Sequence, residues 1–389
     1  MKKIIALVVC AVAAICLLWK PFPTVSEIVA GVRTSYASDI VEQKGEYRIG
    51  MPEKDVELYD FLAEGILDCK EELTVRRAGY TKDDVTRIMW YMMCDHPEIF
   101  WVDWYNFYCL EGVGGTLVVK PVYTYPTADV ADMTRKLDTA VKEIVAAVKA
   151  QGLDTQYKQA LSVHDMLTER VRYDESLEAG NLHDVYGALV NGVAVCDAYA
   201  KSYKLLLNEL GIDCTYIEGV VVDSEPDVGH AWNLANLDGQ YSHIDVTWDD
   251  LDNEIKNEST GVNFASHAFF ALSDAEIFKT HTVTMKEAVL PAAIGTNYYA
   301  DRGLQSANFE EIVDNAAHVL AENVRKGVYA FEFCAVTKEA ATAMTAEYFP
   351  IGKAIDKANE LLKPDKITLK QQYVPFVDEY RNTIAVFCS

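Results

Sequence analysis

The stretch that decides the fold is Gly192-Val193-Ala194-Val195-Cys196-Asp197-Ala198-Tyr199-Ala200, a short apolar run that leads into a cysteine. Residues 201–210 continue it as a helix-forming segment, and Gly211 predicts where that helix ends. Cys196 should therefore lie at or near a helix N-terminus. This position matters because the thiolate is the nucleophile, and an ordinary thiol is only a few per cent ionised at neutral pH.

A helix N-terminus alone does not make Cys196 a good nucleophile. Lowering the pKa of a thiol by about three units requires roughly 4 kcal/mol. The helix end supplies only about 0.3–2 kcal/mol. A cationic partner must supply the rest, and His230, in the segment Gly229-His230-Ala231-Trp232-Asn233, is the natural candidate.

His230 begins a predicted strand that ends near Leu237. Asp238-Gly239 is a strong two-residue hairpin signal, and residues 241–248 are typical of the returning strand. Under that turn Leu237 faces Gln240, which fixes the register of the whole hairpin. The sequence therefore predicts two adjacent antiparallel strands after the nucleophile helix.

The same register places Trp232 opposite Asp245 and His230 opposite Thr247. His230 and Asp245 become diagonal neighbours with α-carbons about 7–8 Å apart, a gap that an imidazole and a carboxylate can close. The pleat puts all four residues on one polar, site-like side. The opposite side reads as a packing face made of Ala231, Ala235, Leu237, Ile244, Val246 and Trp248.

Three motifs in this order resemble the core of the bacterial transglutaminase-like superfamily. They are Val195-Cys196-x-Ala198-Tyr199-Ala200, Gly229-His230-Ala231-Trp232-Asn233 and Asp245-Val246-Thr247-Trp248-Asp249-Asp250. The likeness covers about residues 155–255 and includes the upstream stretch His164-Asp165…Tyr173-Asp174. Ala198 departs from the pattern, since many members have glycine there. The resemblance implies an α+β, papain-like core, with a nucleophile helix packed on an antiparallel sheet and α/β regions on both sides.

The resemblance also implies a catalytic triad. Cys196 would be the nucleophile, His230 the general base and acid, and Asp245 the group that fixes the imidazole tautomer. The Cys196 backbone N–H would contribute to an oxyanion hole. Trp232 or a residue near Tyr186 is the candidate for the second donor, and both are expected to line the cleft.

Such a triad attacks an amide carbonyl and forms a thioester, but it does not fix the acceptor. With water the protein would be a peptidase or amidase, acting on extracellular peptide or cell-wall material, and this reading is favoured. With a lysine amine it would be a protein-glutamine cross-linking transglutaminase. A non-catalytic surface binding module is the third alternative. The expected partner is a protein or peptide substrate.

Other polar residues of this region carry weaker signals. His243 projects to the side of Asp245 and either lines the cleft or is a plain strand histidine. His164, with Asp165, is interpreted as a packing or capping feature rather than a second base. Asp249 and Asp250 either bind a cation or form a solvated exit from the strand, which is favoured. No arrangement is indicated for the remaining histidines, which are His96, His183, His267, His281 and His318.

No cofactor or metal is predicted, because the cysteines show no CxxC pair and no histidines sit at zinc-ligand spacing. The formal net charge of −24 argues against nucleic-acid partners, since the overall field repels phosphates. With 50% hydrophobic residues in 389, the chain can build two or three domains with proper cores.

The N-terminus is typical of a targeting segment. Lys2 and Lys3 precede an apolar run over residues 4–19, which predicts a signal peptide or a membrane anchor within residues 1–20. The protein is therefore expected to be exported, either secreted or anchored at the cell surface through this segment. A lead-in over residues 21–50 follows.

The remaining chain divides into three predicted parts. They are an N-terminal α/β region at 51–152, the transglutaminase-like domain at 153–290 and a small α/β domain at 300–389. Seven of the nine cysteines follow the targeting segment. An oxidising exterior permits disulfides, for example Cys334 with Cys388 on two late strands, but spacing alone does not establish one.

Overall fold

A computed structural model describes residues 46–76, 79–176, 180–222, 228–250, 264–285, 290–346, 348–378 and 380–388. The predicted signal peptide or anchor, and most of the lead-in, lie outside these residues. Within them, no helix combines the length and the apolar character needed to cross a bilayer.

The chain forms two compact units, Met1–Asp138 and Thr139–Ser389. The boundaries near 152 and 300 stay predictions.

The first unit combines helices with a small antiparallel sheet in the strand order β1-β3-β2. Thr81 and Asp84 form a capping box at the start of its second long helix. In chain order its elements are α1 (Glu46–Ile49), α2 (Glu53–Leu67), β1 (Leu73–Val75), α3 (Lys82–Asp95), β2 (Val102–Glu111) and β3 (Leu117–Tyr123), and α4 (Val130–Ala150) continues into the second unit.

The second unit is built around an antiparallel sheet in the order β8-β7-β6-β9. The helix that starts at Cys196 packs against the two central strands of this sheet. The elements are α5 (Gln156–Arg170), β4 (Arg172–Tyr173), a π-helical turn (Gly187–Asn191), β5 (Val193–Ala194), α6 (Cys196–Glu209), β6 (Cys214–Val221), β7 (Gly229–Leu237), β8 (Gln240–Ile244), α7 (Val246–Asp249), α8 (Asp274–Ile277) and β9 (His281–Val283).

The hairpin of β7 and β8 has the predicted register over its first part. Leu237 pairs with Gln240 and Asn233 with Ile244. Both turn residues have positive φ, 54° at Asp238 and 90° at Gly239, as a type I′ turn requires. The turn chemistry was therefore sufficient to fix which residues face each other near the tip.

Beyond Ile244 the predicted strand is wrong. β8 ends there, and Asp245 caps the one-turn helix α7 by accepting the N–H groups of Thr247 and Trp248. An aspartate that bonds to the backbone two and three residues ahead favours a helix start over a ladder. Asp245 is consequently not paired with Trp232, nor Thr247 with His230.

The predicted division of β7 into a polar side and a packing side is also wrong. Trp232 and Leu234 belong to a core cluster with Phe269 and Leu272. On the other side, the Asn233 amide donates to the carbonyl oxygen of Ala200 in α6. β7 is thus a central strand that is covered on both faces, and alternation carries little information in such strands.

The last part of the second unit contains a mixed sheet in the order β10-β11-β13-β12. Its β10–β11 pair is parallel, and the other two pairs are antiparallel. The elements are α9 (Tyr298–Asp301), β10 (Gln305–Ser306), a 3₁₀ turn (Phe309–Glu311), α10 (Val313–Arg325), β11 (Ala330–Ala335), α11 (Lys338–Ala346), α12 (Tyr348–Leu362), a second 3₁₀ turn (Lys363–Asp365), β12 (Tyr373–Asp378) and β13 (Thr383–Cys388).

The suggested Cys334–Cys388 disulfide is not formed, and both thiols are free. Antiparallel pairing of β11 with β13 places Cys334 opposite Thr383, at the other end of β13 from Cys388. Five residues of strand separate the two positions by about 16 Å, far beyond the roughly 7 Å limit for a disulfide.

Gly219 provides a test of how tightly this core is packed. It pairs with His230, and a Cβ at this position would lie 2.2 Å from the Thr282 carbonyl oxygen and 2.6 Å from the Trp232 ring. We expect Gly219→Ala to lower the free energy of unfolding by about 1–3 kcal/mol, because neither neighbour can move freely. Thermal unfolding should show a fall in Tm of about 2–10 °C.

Gly229→Ala is the matched control, because this glycine lies on the adjacent strand and a Cβ there meets nothing within 4 Å. Its Tm should stay close to that of the unchanged protein. An equal Tm for both variants would show that the contact around Gly219 relaxes without cost.

Candidate active site

Cys196 is the first residue of α6, and Val195 is its N-cap in extended conformation. The first N–H groups of a helix have no acceptor within the helix, so the backbone at Cys196 presents donors to the space in front of it. Cys196 is partly exposed, whereas the three other cysteines of this unit are buried. Burial raises the pKa of Cys334 to about 11 and that of Cys388 to about 12, which makes both poor nucleophiles.

His230 lies between the cysteine and the carboxylate. Its Nε2 is 2.6 Å from Oδ2 of Asp245, and its side chain is hydrogen-bonded to Cys196. Because Nε2 contacts Asp245, the ring nitrogen left for the thiol is Nδ1. Burial by itself lowers the pKa of His230, but the charge of Asp245 and the bonds to Asp245 and Cys196 outweigh it and raise the pKa to about 10.

Asp245 is completely buried and accepts four hydrogen bonds. Oδ1 takes the backbone N–H groups of Thr247 and Trp248, and Oδ2 takes His230. Burial raises the pKa of a carboxyl, but the charge of His230 and the bonds from the two histidines outweigh it and hold the pKa of Asp245 below its usual range. The carboxylate is therefore ionised and fixed in orientation.

The fourth donor is His281, which the sequence analysis did not identify. It lies on β9, and its Nε2 is 3.0 Å from the same Oδ2 that contacts His230. Its Nδ1 is 2.7 Å from the Thr280 hydroxyl. The pairing of β9 with β6 brings it there, with His281 opposite Val221. It follows Asp245 by 36 positions and belongs to no recognisable motif, so the sequence carried no signal for it.

Aromatic rings enclose the imidazole of His230. Trp232 is stacked on it at 6.2 Å between ring centres, and Trp248 lies at 5.7 Å. Trp232 is only 1% exposed, and its indole N–H donates to Nδ1 of His243. It is therefore not an available oxyanion donor and does not line an open cleft.

His243 is a buried strand histidine rather than a cleft residue. Besides accepting from Trp232, it contacts Asp274 at 3.0 Å through Nε2. Burial lowers its pKa, although Asp274 opposes this. Tyr186 precedes the π-helical turn and is also largely buried.

Tyr173 is a further residue close to the thiol. It is half-buried on β4, which pairs with β5 directly before the nucleophile helix. Burial raises the pKa of Tyr173 to about 12, with added contributions from the nearby charges of Cys196 and Asp245. The hydroxyl thus remains protonated at neutral pH and can act as a donor.

The prediction that Asp249 and Asp250 form a solvated exit from the strand is wrong. Asp249 is completely buried and accepts the N–H of Phe269 and Nε2 of His164. Asp250 accepts a short hydrogen bond from the Tyr199 hydroxyl. These bonds hold α7, and with it Asp245, against the helices behind it.

His164 packs inside the protein, as predicted, but it belongs to a larger polar cluster. Its Nδ1 is 3.1 Å from Asp165 Oδ1, and the same oxygen is 2.9 Å from Nε2 of His267. The second nitrogen of His267 contacts Glu332 of β11. His164 and His267 are 103 positions apart, so no spacing rule predicted their contact.

The geometry unites Cys196, His230 and Asp245 within the second unit. A thiol at a helix N-terminus, an imidazole bonded to it and a buried carboxylate that orients the imidazole can together transfer acyl groups through the sulfur.

Part of the second unit matches a known family. Residues 143–246 match the model of the Transglutaminase-like superfamily. A search of curated proteins finds no match. One similar solved structure is a candidate cysteine protease from Cytophaga hutchinsonii, with 17% identity, a TM-score of 0.25 and coverage of 36% of this chain and 61% of that one.

Two further structures show similar levels of likeness. A TGase has 11% identity, a TM-score of 0.26 and coverage of 48% of this chain and 52% of that one. A candidate protease from Parabacteroides distasonis has 13% identity, a TM-score of 0.21 and coverage of 36% and 35%. The chain spans less than two thirds of the length of each of the three structures.

The matched segment contains Cys196, His230 and Asp245. The predicted α+β fold class with this kind of core is confirmed. The likeness of this chain to the transglutaminase-like superfamily thus covers the segment that holds all three residues.

Proposed function

We propose that this protein is an exported cysteine hydrolase that cleaves amide bonds in extracellular peptide or cell-wall material through a thioester. The observation that carries the proposal is the position of His230, which is bonded to Cys196 on one side and lies 2.6 Å from Asp245 on the other. A buried imidazole with these two partners is suited to moving a proton to and from sulfur.

In the first half of the reaction Nδ1 of His230 takes the thiol proton. The sulfur of Cys196 then bonds to the carbonyl carbon, and the pair of the C=O bond moves to the oxygen. When that pair returns, the C–N bond breaks, and Nδ1 gives its proton to the leaving amine. The product of this half is a thioester on Cys196.

In the second half a water molecule gives a proton to Nδ1 while its oxygen bonds to the thioester carbon. Collapse of the intermediate breaks the C–S bond, releases a carboxylic acid and returns the thiol and imidazole. Asp245 stays ionised throughout and holds Nε2–H, so that Nδ1 remains directed at the sulfur.

The negative charge on the carbonyl oxygen needs donors that are fixed in advance. The backbone N–H at Cys196 is one, because it is the first residue of α6. Tyr173 is a second candidate in place of Trp232, since it lies half-buried on β4, which pairs with β5 directly before the nucleophile helix.

The same thioester could be opened by a lysine amine, which would make the protein a cross-linking transglutaminase. Export rests on the basic and apolar N-terminal sequence alone.

The first test concerns the nucleophile. We expect Cys196→Ala to lower amide hydrolysis by more than about 10⁴-fold, because no other group can form the thioester. The assay incubates the protein with casein and a fluorescent primary amine, and measures peptide fragments and amine incorporation together. Fragments without incorporation support hydrolysis, and incorporation supports transfer.

Cys109→Ala is the matched control, because Cys109 is a free, partly exposed thiol in the first unit. It should keep full activity. Activity that survives in Cys196→Ala would show that Cys196 is not the nucleophile. Neither fragments nor incorporation with the unchanged protein would favour the binding-module alternative.

The second test concerns the pH dependence of the thiol. Asp245 is the main group that raises the pKa of His230, so Asp245→Asn should lower that pKa. Less of His230 is then protonated at pH 6, so less imidazolium is present to stabilise a thiolate at Cys196. We expect iodoacetamide to alkylate Cys196 at pH 6 about tenfold or more slowly in Asp245→Asn, measured by mass spectrometry of the Cys196 peptide.

Asparagine is a good N-cap, so Asp245→Asn should leave α7 in place. Asp274→Asn is the control, since Asp274 contacts a buried histidine that does not touch the thiol. If Cys196 of the unchanged protein reacts at pH 6 no faster than an ordinary thiol, the proposed ion pair does not form.

A further inference from the structure

A second group of histidines and carboxylates lies in the same unit and has no part in the proposed reaction. We call it the His164 cluster, and it consists of His164, Asp165, Asp249, His267 and Glu332. Both imidazoles are largely buried, and so are two of the three carboxylates, Asp249 and Glu332.

The four ring nitrogens of the His164 cluster all face carboxylate oxygens. Nδ1 of His164 and Nε2 of His267 face Asp165 Oδ1, at 3.1 and 2.9 Å. Nε2 of His164 faces Asp249 at 3.1 Å, and Nδ1 of His267 faces Glu332. Three carboxylates thus face only two imidazoles, and the inner nitrogens of both rings share one carboxylate oxygen, so the cluster has an excess of negative charge when the carboxylates are ionised.

A cation between the inner nitrogens and Asp165 balances this charge. We propose that His164 Nδ1, His267 Nε2 and the Asp165 carboxylate bind a divalent transition-metal ion, with zinc as the best fit. The two hydrogens then lie on the outer nitrogens and are donated to Asp249 and Glu332. Every ring nitrogen is satisfied without two buried imidazolium ions.

The distances suit such an ion. The donor atoms of His164, Asp165 and His267 all lie within 4.8 Å of one another. In a tetrahedral zinc site with metal–ligand bonds of about 2.0–2.2 Å, neighbouring ligand atoms are about 3.3 Å apart. The two observed contacts to Asp165 are a few tenths of an ångström shorter, so a small outward shift of the carboxylate makes room.

The outer carboxylates have the arrangement that metal-binding histidines need. Such histidines donate their second N–H to a carboxylate or carbonyl that fixes the tautomer and ring orientation. Asp249 is itself held by the N–H of Phe269, and Glu332 by the Tyr299 hydroxyl at 2.6 Å. The ring of His267 is stacked on Tyr298 at 4.1 Å. The ligands are therefore oriented before any ion binds.

The ion has a path to the site and a role there. The Asp165 side chain is 49% exposed, so one ligand reaches solvent and leaves a position for water. Imidazole and carboxylate donors in this number favour zinc over calcium or magnesium. The ion would tie α5 to the segment at His267, and through the outer carboxylates to α7 and β11.

The test uses the full chain, stripped with a chelator and then titrated with Zn²⁺ alone. We expect about one tightly bound zinc per chain after gel filtration, measured by mass spectrometry of the metal. Asp165→Asn should weaken binding at least about 100-fold, and the increase in Tm on zinc addition should be lost with it. His318→Ala, which changes an exposed histidine outside the cluster, should bind zinc normally.

Asparagine has the shape of aspartate and the position is half exposed, so Asp165→Asn should fold. An equal Tm for the metal-free variant and the metal-free unchanged protein checks this. Absence of stoichiometric zinc in the unchanged protein overturns the proposal. Zinc that persists in Asp165→Asn but is lost in His230→Ala overturns it too, since the ion would then sit on His230, Asp245 and His281.

Discussion

The Asp245 carboxylate is the constraint on which the rest of the site depends. It is a buried charge, and such a charge is tolerated only when hydrogen bonds replace its water. Two backbone N–H groups from α7 and two imidazole nitrogens do so. One oxygen thereby fixes the local backbone, and the other fixes His230. The same carboxylate therefore determines both the turn that ends β8 and the orientation of the His230 imidazole.

The thiol needs this rigidity because the helix end supplies only a fraction of the required stabilisation. The helix N-terminus provides about 0.3–2 kcal/mol, and the imidazolium must provide the remainder. It does so only while His230 keeps its proton, which the charge of Asp245 favours against burial. The indole rings of Trp232 and Trp248, which pack against the imidazole, restrict its movement further. The packing, the electrostatics and the proposed chemistry of the site therefore all depend on the imidazole of His230.

The sequence was sufficient for the local features of this site. Gly211 and the apolar run predicted a helix beginning at Cys196, and Asp238-Gly239 predicted the hairpin register that is observed up to Ile244. It was not sufficient beyond that point, because the capping preference of one aspartate outweighed strand alternation. His281 and His267 were missed for another reason. Strand pairing and segment packing bring them to their partners across 36 and 102 positions, and no local pattern records such contacts.

This unit contains two pairs of histidines that share a carboxylate, His230 with His281 and His164 with His267. The pairs differ in what their outer ring nitrogens, those that do not face the shared carboxylate, contact. Around Asp245, both Nε2 atoms face the carboxylate, while the Nδ1 atoms face the Thr280 hydroxyl and the Cys196 thiol. Hydroxyl and thiol can each donate or accept, so these contacts are satisfied whether or not the ring carries its second proton. In the His164 cluster both outer partners are carboxylates, which can only accept when ionised. The first pair thus contacts a thiol with which it can exchange a proton, whereas the second is surrounded by carboxylates, the arrangement on which the proposed cation site rests.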